Sequence, residues 1–208
     1  MYAIITDGSI SKYVVHPKPL VIGDVQYPAR IFSAWTASEL AAIGIIKVTF
    51  DNSNKKNEKW YTNTNQTYTY DASAGTVTAA YGTATAKKHA DTLWTSQDKT
   101  DGKIPEGKDV GDVAVEGLKT VLIRTVKAQA AGILQDTDWY IVRKADAGTA
   151  VPSAITAHRA AVRTKAASME TSITNASDTP ALETLYTYTE QEDGSVTRPL
   201  GELPKLES

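Results

Sequence analysis

The sequence predicts an α+β protein: an N-terminal antiparallel β domain with a short helix, then a C-terminal helical hairpin with a short third helix. Two observations carry this reading. Up to about residue 82, β-branched and aromatic residues form short runs, punctuated by turn pairs such as Asp7-Gly8 and Ala74-Gly75. Further on, Leu118, Leu122, Val126, Ala130 and Ile133 recur at helical spacing, and Ile155, Val162, Ala166, Met169 and Ile173 do so again.

In chain order, residues 2–6 and 10–15 flank Asp7-Gly8 as a hairpin, because glycine tolerates positive φ. His16-Pro17-Lys18-Pro19 interrupts regular pairing, 20–22 resumes a strand, and Gly23-Asp24 offers a turn. Thr36 and Glu39 form a capping box for one helix, with Leu40 and Ile43 inward and Gly44 as its stop. Strands are expected at 45–50, 59–62, 66–70 and 76–81, with a polar loop at 51–57.

From Thr83 the pattern changes. Residues 85–97 read as a helix through Ala86, Ala90, Leu93 and Trp94. Residues 98–114, rich in Asp, Lys and Gly, read as a flexible linker. Two long helices follow, near 114–135 and 153–175, the second capped by Ser153 behind Pro152. Ser177 or Asp178 caps a last helix with Pro180 in its first turn and Leu182 and Leu185 inward. A hairpin around Asp193-Gly194 then leads into a stretch broken by Pro199, Gly201 and Pro204. The expected organisation is a β-rich domain over 1–97, a linker over 98–114, a helical domain over 115–190 and a mobile or partner-held tail over 191–208.

Composition narrows the function classes. At 208 residues, 41% hydrophobic and 22% charged, the chain can bury a substantial core. A formal net charge of −2 gives no global attraction to nucleic acid or to an anionic membrane. No apolar run reaches the ~20 residues that span a bilayer, and the N-terminus lacks the pattern of a signal peptide. With no cysteine, disulfides, thiolate catalysis and cysteine-held metals are excluded.

His16, His89 and His158 lie far apart, none in a pair that places two ligands on one face. No nucleophile elbow, phosphate loop or dinucleotide fingerprint occurs. The expectation is therefore a protein that is not an enzyme and holds no cofactor or metal. Lys55, Lys56 and Lys59 beside Trp60 and Tyr61 resemble a single-strand stacking patch, but Asp51 and Glu58 offset the charge, and a solvated hairpin tip is the plainer reading.

The stretch that stands out is 133–139, which leaves one amphipathic helix through Thr137, Asp138 and Trp139 towards an antiparallel partner. The tryptophan can fill the core at this corner or form a contact surface. Arg159 and Arg163, four apart, project from one face of the partner helix. They form either a fixed pair that engages Asp138 or an acidic partner, or an exposed cationic edge beside Lys165.

This Leu134-x-x-Thr137-Asp138-Trp139 corner, followed by paired arginines, resembles the tail assembly chaperone (tail fibre assembly) proteins of tailed bacteriophages. His158 and Val162 depart from the family's usual Tyr-Arg-x-x-Leu-Arg, and Tyr140-Ile141-Val142-Arg143 stands where the family tends to be polar and proline-rich. Residues 2–5 and 22–28 are similar to structural or assembly proteins of phages of marine bacteria. The resemblance implies a tail or tail-fibre assembly protein that binds a fibre or tail chain in the host cytoplasm during assembly, self-association being left open. The alternative is a structural component retained in the virion tail, baseplate or fibre. By this resemblance Thr137, Asp138, Trp139, Arg159 and Arg163 are the partner-binding candidates.

Overall fold

The computed structural model describes residues 1–206, and the chain falls into two compact units, 1–85 and 86–208. The division lies before the linker expected at 98–114. The last two positions of the tail expected over 191–208 lie outside the described residues.

The first unit is built on a five-stranded sheet. Strands β1 (Tyr2–Thr6) and β2 (Ser9–Val14) form the expected hairpin, with Asp7 and Gly8 both at positive φ in the turn. A hairpin of β3 (Leu20–Ile22) and β4 (Val25–Tyr27) precedes helices α1 (Ile31–Ala34) and α2 (Ala37–Ala42). The capping box of Thr36 and Glu39 starts α2 as expected. Gly44 ends it at φ +77, and its carbonyl accepts the Ile5 N–H at 2.8 Å.

Strands β5 (Ile45–Asp51), β7 (Gln66–Asp71) and β8 (Thr76–Tyr81) complete the sheet in the order β2-β1-β5-β8-β7. Short strands β6 (Tyr61–Thr62) and β9 (Thr85–Ala86) lie outside it. The sheet is antiparallel, as expected, except at one ladder, where β5 and β8 pair parallel, Val48 opposite Val77. The β7–β8 hairpin inserts as a unit beside β5, and the 51–65 connection gives it the length a parallel return needs.

Period-two alternation gives the sheet two apolar faces. Ile4, Val14 and Ile45 pack under Leu20, Ile31, Phe32 and Leu40 on one face. Ala3, Val48, Val77 and Ala79 pack with Met1, Tyr68 and Tyr70 on the other.

In the second unit, β10 (Thr92–Leu93) pairs with β11 (Val113–Val115) around α3 (Ser96–Thr100). The helix expected over 85–97 does not form. The carbonyls it would turn inward are used elsewhere: Lys88 and His89 accept the N–H groups of Leu118 and Lys119, and Lys87 accepts the Thr179 hydroxyl.

The 98–114 stretch is not an open linker either. Thr95 and Asp98 form a capping box, Lys99 pairs with Asp109 at 2.8 Å, and Trp94 exchanges backbone bonds with Asp112 and Gly111. These bonds close the excursion on itself, as in a compact surface loop.

Helices α4 (Leu118–Gln135) and α6 (Ser153–Asn175) form the expected hairpin, burying Leu122, Val126 and Ala130 against Ile155, Val162, Ala166, Met169 and Ile173. They run antiparallel: Lys119 Nζ reaches the Thr174 carbonyl, and Lys127 pairs with Glu170. Pro152 takes the cap position expected of Ser153, which becomes the first helical residue.

Between them lies α5 (Asp138–Ala147), and after them α7 (Thr179–Tyr186), capped by Asp178 with Leu182 fully buried. Strands β12 (Thr189–Glu190) and β13 (Val196–Thr197) form the hairpin expected around Gly194. Among the described residues no helix is long and apolar enough to cross a membrane.

The tail then packs on its own unit. Leu200 is 2% exposed, and its N–H bonds to the Leu185 carbonyl. Through Glu202 this corrects the expectation of a mobile or partner-held tail.

Candidate functional site

Arg159 organises the corner. Its Nη1 donates to the Leu134 carbonyl at 2.7 Å and to Thr137 Oγ1 at 2.6 Å, and its Nη2 pairs with Asp138 Oδ1 at 2.8 Å. Thr137 Oγ1 donates in turn to the Leu134 carbonyl at 3.0 Å. The physical reason for this clasp is the end of α4, whose last carbonyls lack helical partners and carry partial negative charge. A guanidinium from α6 supplies both a donor and a counter-charge.

Arg159 and Thr137 are buried, whereas Asp138 lies at the rim, its side chain 54% exposed. Of the two alternatives for the arginines, engagement with Asp138 applies to Arg159 alone. Arg163, one turn further along α6, is exposed and makes no hydrogen bond or ion pair among the described residues. Four-residue spacing gave both a similar bearing, but only Arg159 lies level with the end of α4.

Trp139 departs from the core reading: it is 51% exposed. The sequence suggested a chain turning back at this residue, but Asp138 instead starts α5, and Arg159 takes the inner space. In the first turn of α5, Trp139 stacks on Tyr140 with ring centres 3.8 Å apart. The Arg143 guanidinium lies 4.7 Å from the indole centre. Val142, 65% exposed and three residues on, extends this apolar face, whereas Ile141, 44% exposed, lies towards the other side of the helix. Helix α5 ends at Gly148 in the left-handed region.

Sequence reasoning missed this helix, although Asp138 in its first turn, Lys144 in its last and Gly148 beyond are ordinary start and stop signals. It also missed two cavities where the tail passes α4 and α6. One, of about 660 Å³, is lined in part by Ile133, Asp136, Met169 and Leu203. The other, of about 290 Å³, is lined in part by Thr137, His158, Pro204 and Leu206.

The arrangement is suited to presenting an amphipathic aromatic surface on a fixed base. Among the described residues no group of three or more His, Asp or Glu side chains is placed to hold a metal ion. Compared with family models, curated proteins and solved structures, the chain matches none of them.

Proposed function

We propose that the protein is a non-enzymatic tail or tail-fibre assembly protein of a bacteriophage, which binds a fibre or tail chain through the face of α5. The observation that carries this reading is the division of labour within the Thr137-Asp138-Trp139 corner. Thr137 and Asp138 are held by Arg159, while Trp139 faces solvent with the exposed Val142 one turn along on the same side of α5. An exposed tryptophan with apolar neighbours and an adjacent arginine has the composition of a protein-binding hot spot. Arg163 is an exposed cation on α6, suited to an acidic segment of a partner.

The experiment is co-expression with a bacteriophage tail-fibre chain, followed by pull-down. The native protein should retain the fibre, and Trp139→Ala should lose most of it while remaining folded. Retention unchanged by Trp139→Ala would remove α5 from the binding site. Mass spectrometry of purified virions separates the two roles in assembly: presence in lysate and absence from virions fits a chaperone, and stoichiometric presence in virions fits a retained component.

A further inference from the structure

Tail residues 203–206 cross the larger and smaller cavities beside the corner in succession: Leu203 and Lys205 line the first, and Pro204, Lys205 and Leu206 the second. Their hold is unlike that of the residues just before them. Leu200 is buried and bonded to the Leu185 carbonyl. Arg198 lies 5.2 Å from the ring centres of both Tyr186 and Tyr188 and pairs with Glu202 at 2.7 Å.

After Glu202 that anchoring stops. Residues 203–206 make no backbone hydrogen bond among the described residues, Leu203 and Pro204 are half-buried, and Leu206 is 46% exposed. Beneath them remains about 660 Å³, within the range that binding pockets occupy. A firmly anchored segment is followed by a weakly held one over an unfilled, largely apolar groove. Gly201, at φ +69, turns the chain within the anchored part, one residue before Glu202.

We propose that residues 203–206 are a displaceable strap, and that the groove between α4 and α6 takes an extended segment of a partner protein in its place. The chemistry of that segment is the strap's own: two apolar residues three apart, as Leu203 and Leu206 are, with a cation between them. Lys205 and Asp136 line both cavities, so the groove offers a carboxylate where such a cation arrives. The strap competes at the high effective concentration of a tethered ligand, and the free groove is masked until a better-fitting segment arrives. This inference does not depend on the tail-fibre reading, because its probe is the chain's own segment.

The test is fluorescence anisotropy with a labelled peptide of residues 198–206. Three proteins are compared: the full chain, a chain ending at Glu202, and a full-length Leu203→Asp/Leu206→Asp variant. The shortened and doubly substituted chains should bind the peptide at least tenfold more tightly than the full chain. A peptide with aspartate in place of both leucines should not compete.

Equal binding by all three proteins, or no binding by the two altered ones, would overturn the proposal. So would loss of folding in both altered chains, since the segment would then be a structural part and not a strap. If the shortened chain alone fails to fold, the substituted chain decides. A full chain that is dimeric at micromolar concentration and becomes monomeric on shortening would assign the groove to a second copy, and overturn the assignment to a foreign partner.

Discussion

In the first unit, β1 meets β2 through Asp7-Gly8, and β7 meets β8 across a turn in which Asp71 Oδ1 accepts the N–H groups of Ser73 and Ala74. In the second, the Thr179 hydroxyl reaches the Lys87 carbonyl from 92 residues away, and Arg159 reaches Leu134 from 25. Asp91 accepts from Gly117 and Thr120 across more than 25 residues. Closing a longer loop costs more entropy, though only about 0.6 kcal/mol per doubling. The difference teaches that local turn chemistry suffices to order a hairpin. A helical unit closed by distant contacts depends on a few well-sheltered clasps.

The sharpest way to break that comparison is at the tail. Leu200→Ala removes a side chain that is 2% exposed and should destabilise the second unit by about 2–5 kcal/mol. Calorimetry should show its transition lowered and that of the first unit unmoved. A single transition that shifts as a whole would mean the two units do not melt separately.

Arg159→Ala comes next. It deletes charge-assisted hydrogen bonds to Leu134 and Thr137 and should cost about 2–3 kcal/mol, whereas Arg163→Ala should stay within about 0.5 kcal/mol. Urea titrations of both variants check this, and equal losses would erase the distinction between clasp and free cation.

The same contrast explains what the sequence made legible. The Asp7-Gly8 hairpin, the Thr36–Glu39 box and the 76–81 strand are written in residues a few places apart, and each appears where expected. The 153–175 helix is equally plain, because its buried positions repeat along one face. The parallel β5–β8 ladder left no local sign, since partner choice between strands is not written in either strand alone.

Residues 85–97 failed for a related reason: their alanines permit helix, but the carbonyls of 87–89 are used by α4 and α7. At the corner, the spacing of Arg159 and Arg163 was readable, but which of them is buried depends on where α4 ends.

A smaller effect tests the Asp91 clasp through pH. The Gly117 N–H, and after it the Thr120 hydroxyl, hold the Asp91 carboxyl below its ordinary range. The folded state thus favours the ionised form. Its contribution is present above the ordinary carboxylate pKa of about 4 and is lost as pH falls through the lower folded value. Asp91→Ala should therefore melt lower than the native protein at pH 7, by less than Arg159→Ala does, and the two melts should converge under strong acid. A gap that stays constant with pH would assign the effect to packing.

A small stability effect also belongs to the residue that looked largest in the sequence. A tryptophan buried at the corner would cost about 3–5 kcal/mol on truncation. At 51% exposure Trp139 retains little of that, and its stacking under Arg143 contributes about 0.5–1 kcal/mol. Trp139→Ala should thus shift the second transition by about 1 kcal/mol or less, while Arg159→Ala shifts it two- to threefold more. If α5 is the binding face, fibre retention should follow the reverse pattern per unit of stability lost: severe for Trp139→Ala, and for Arg159→Ala no greater than its loosening of the corner explains. Melting curves and pull-downs on the same two variants decide it. A large melting loss for Trp139→Ala would return the tryptophan to the core and leave α5 without its anchor.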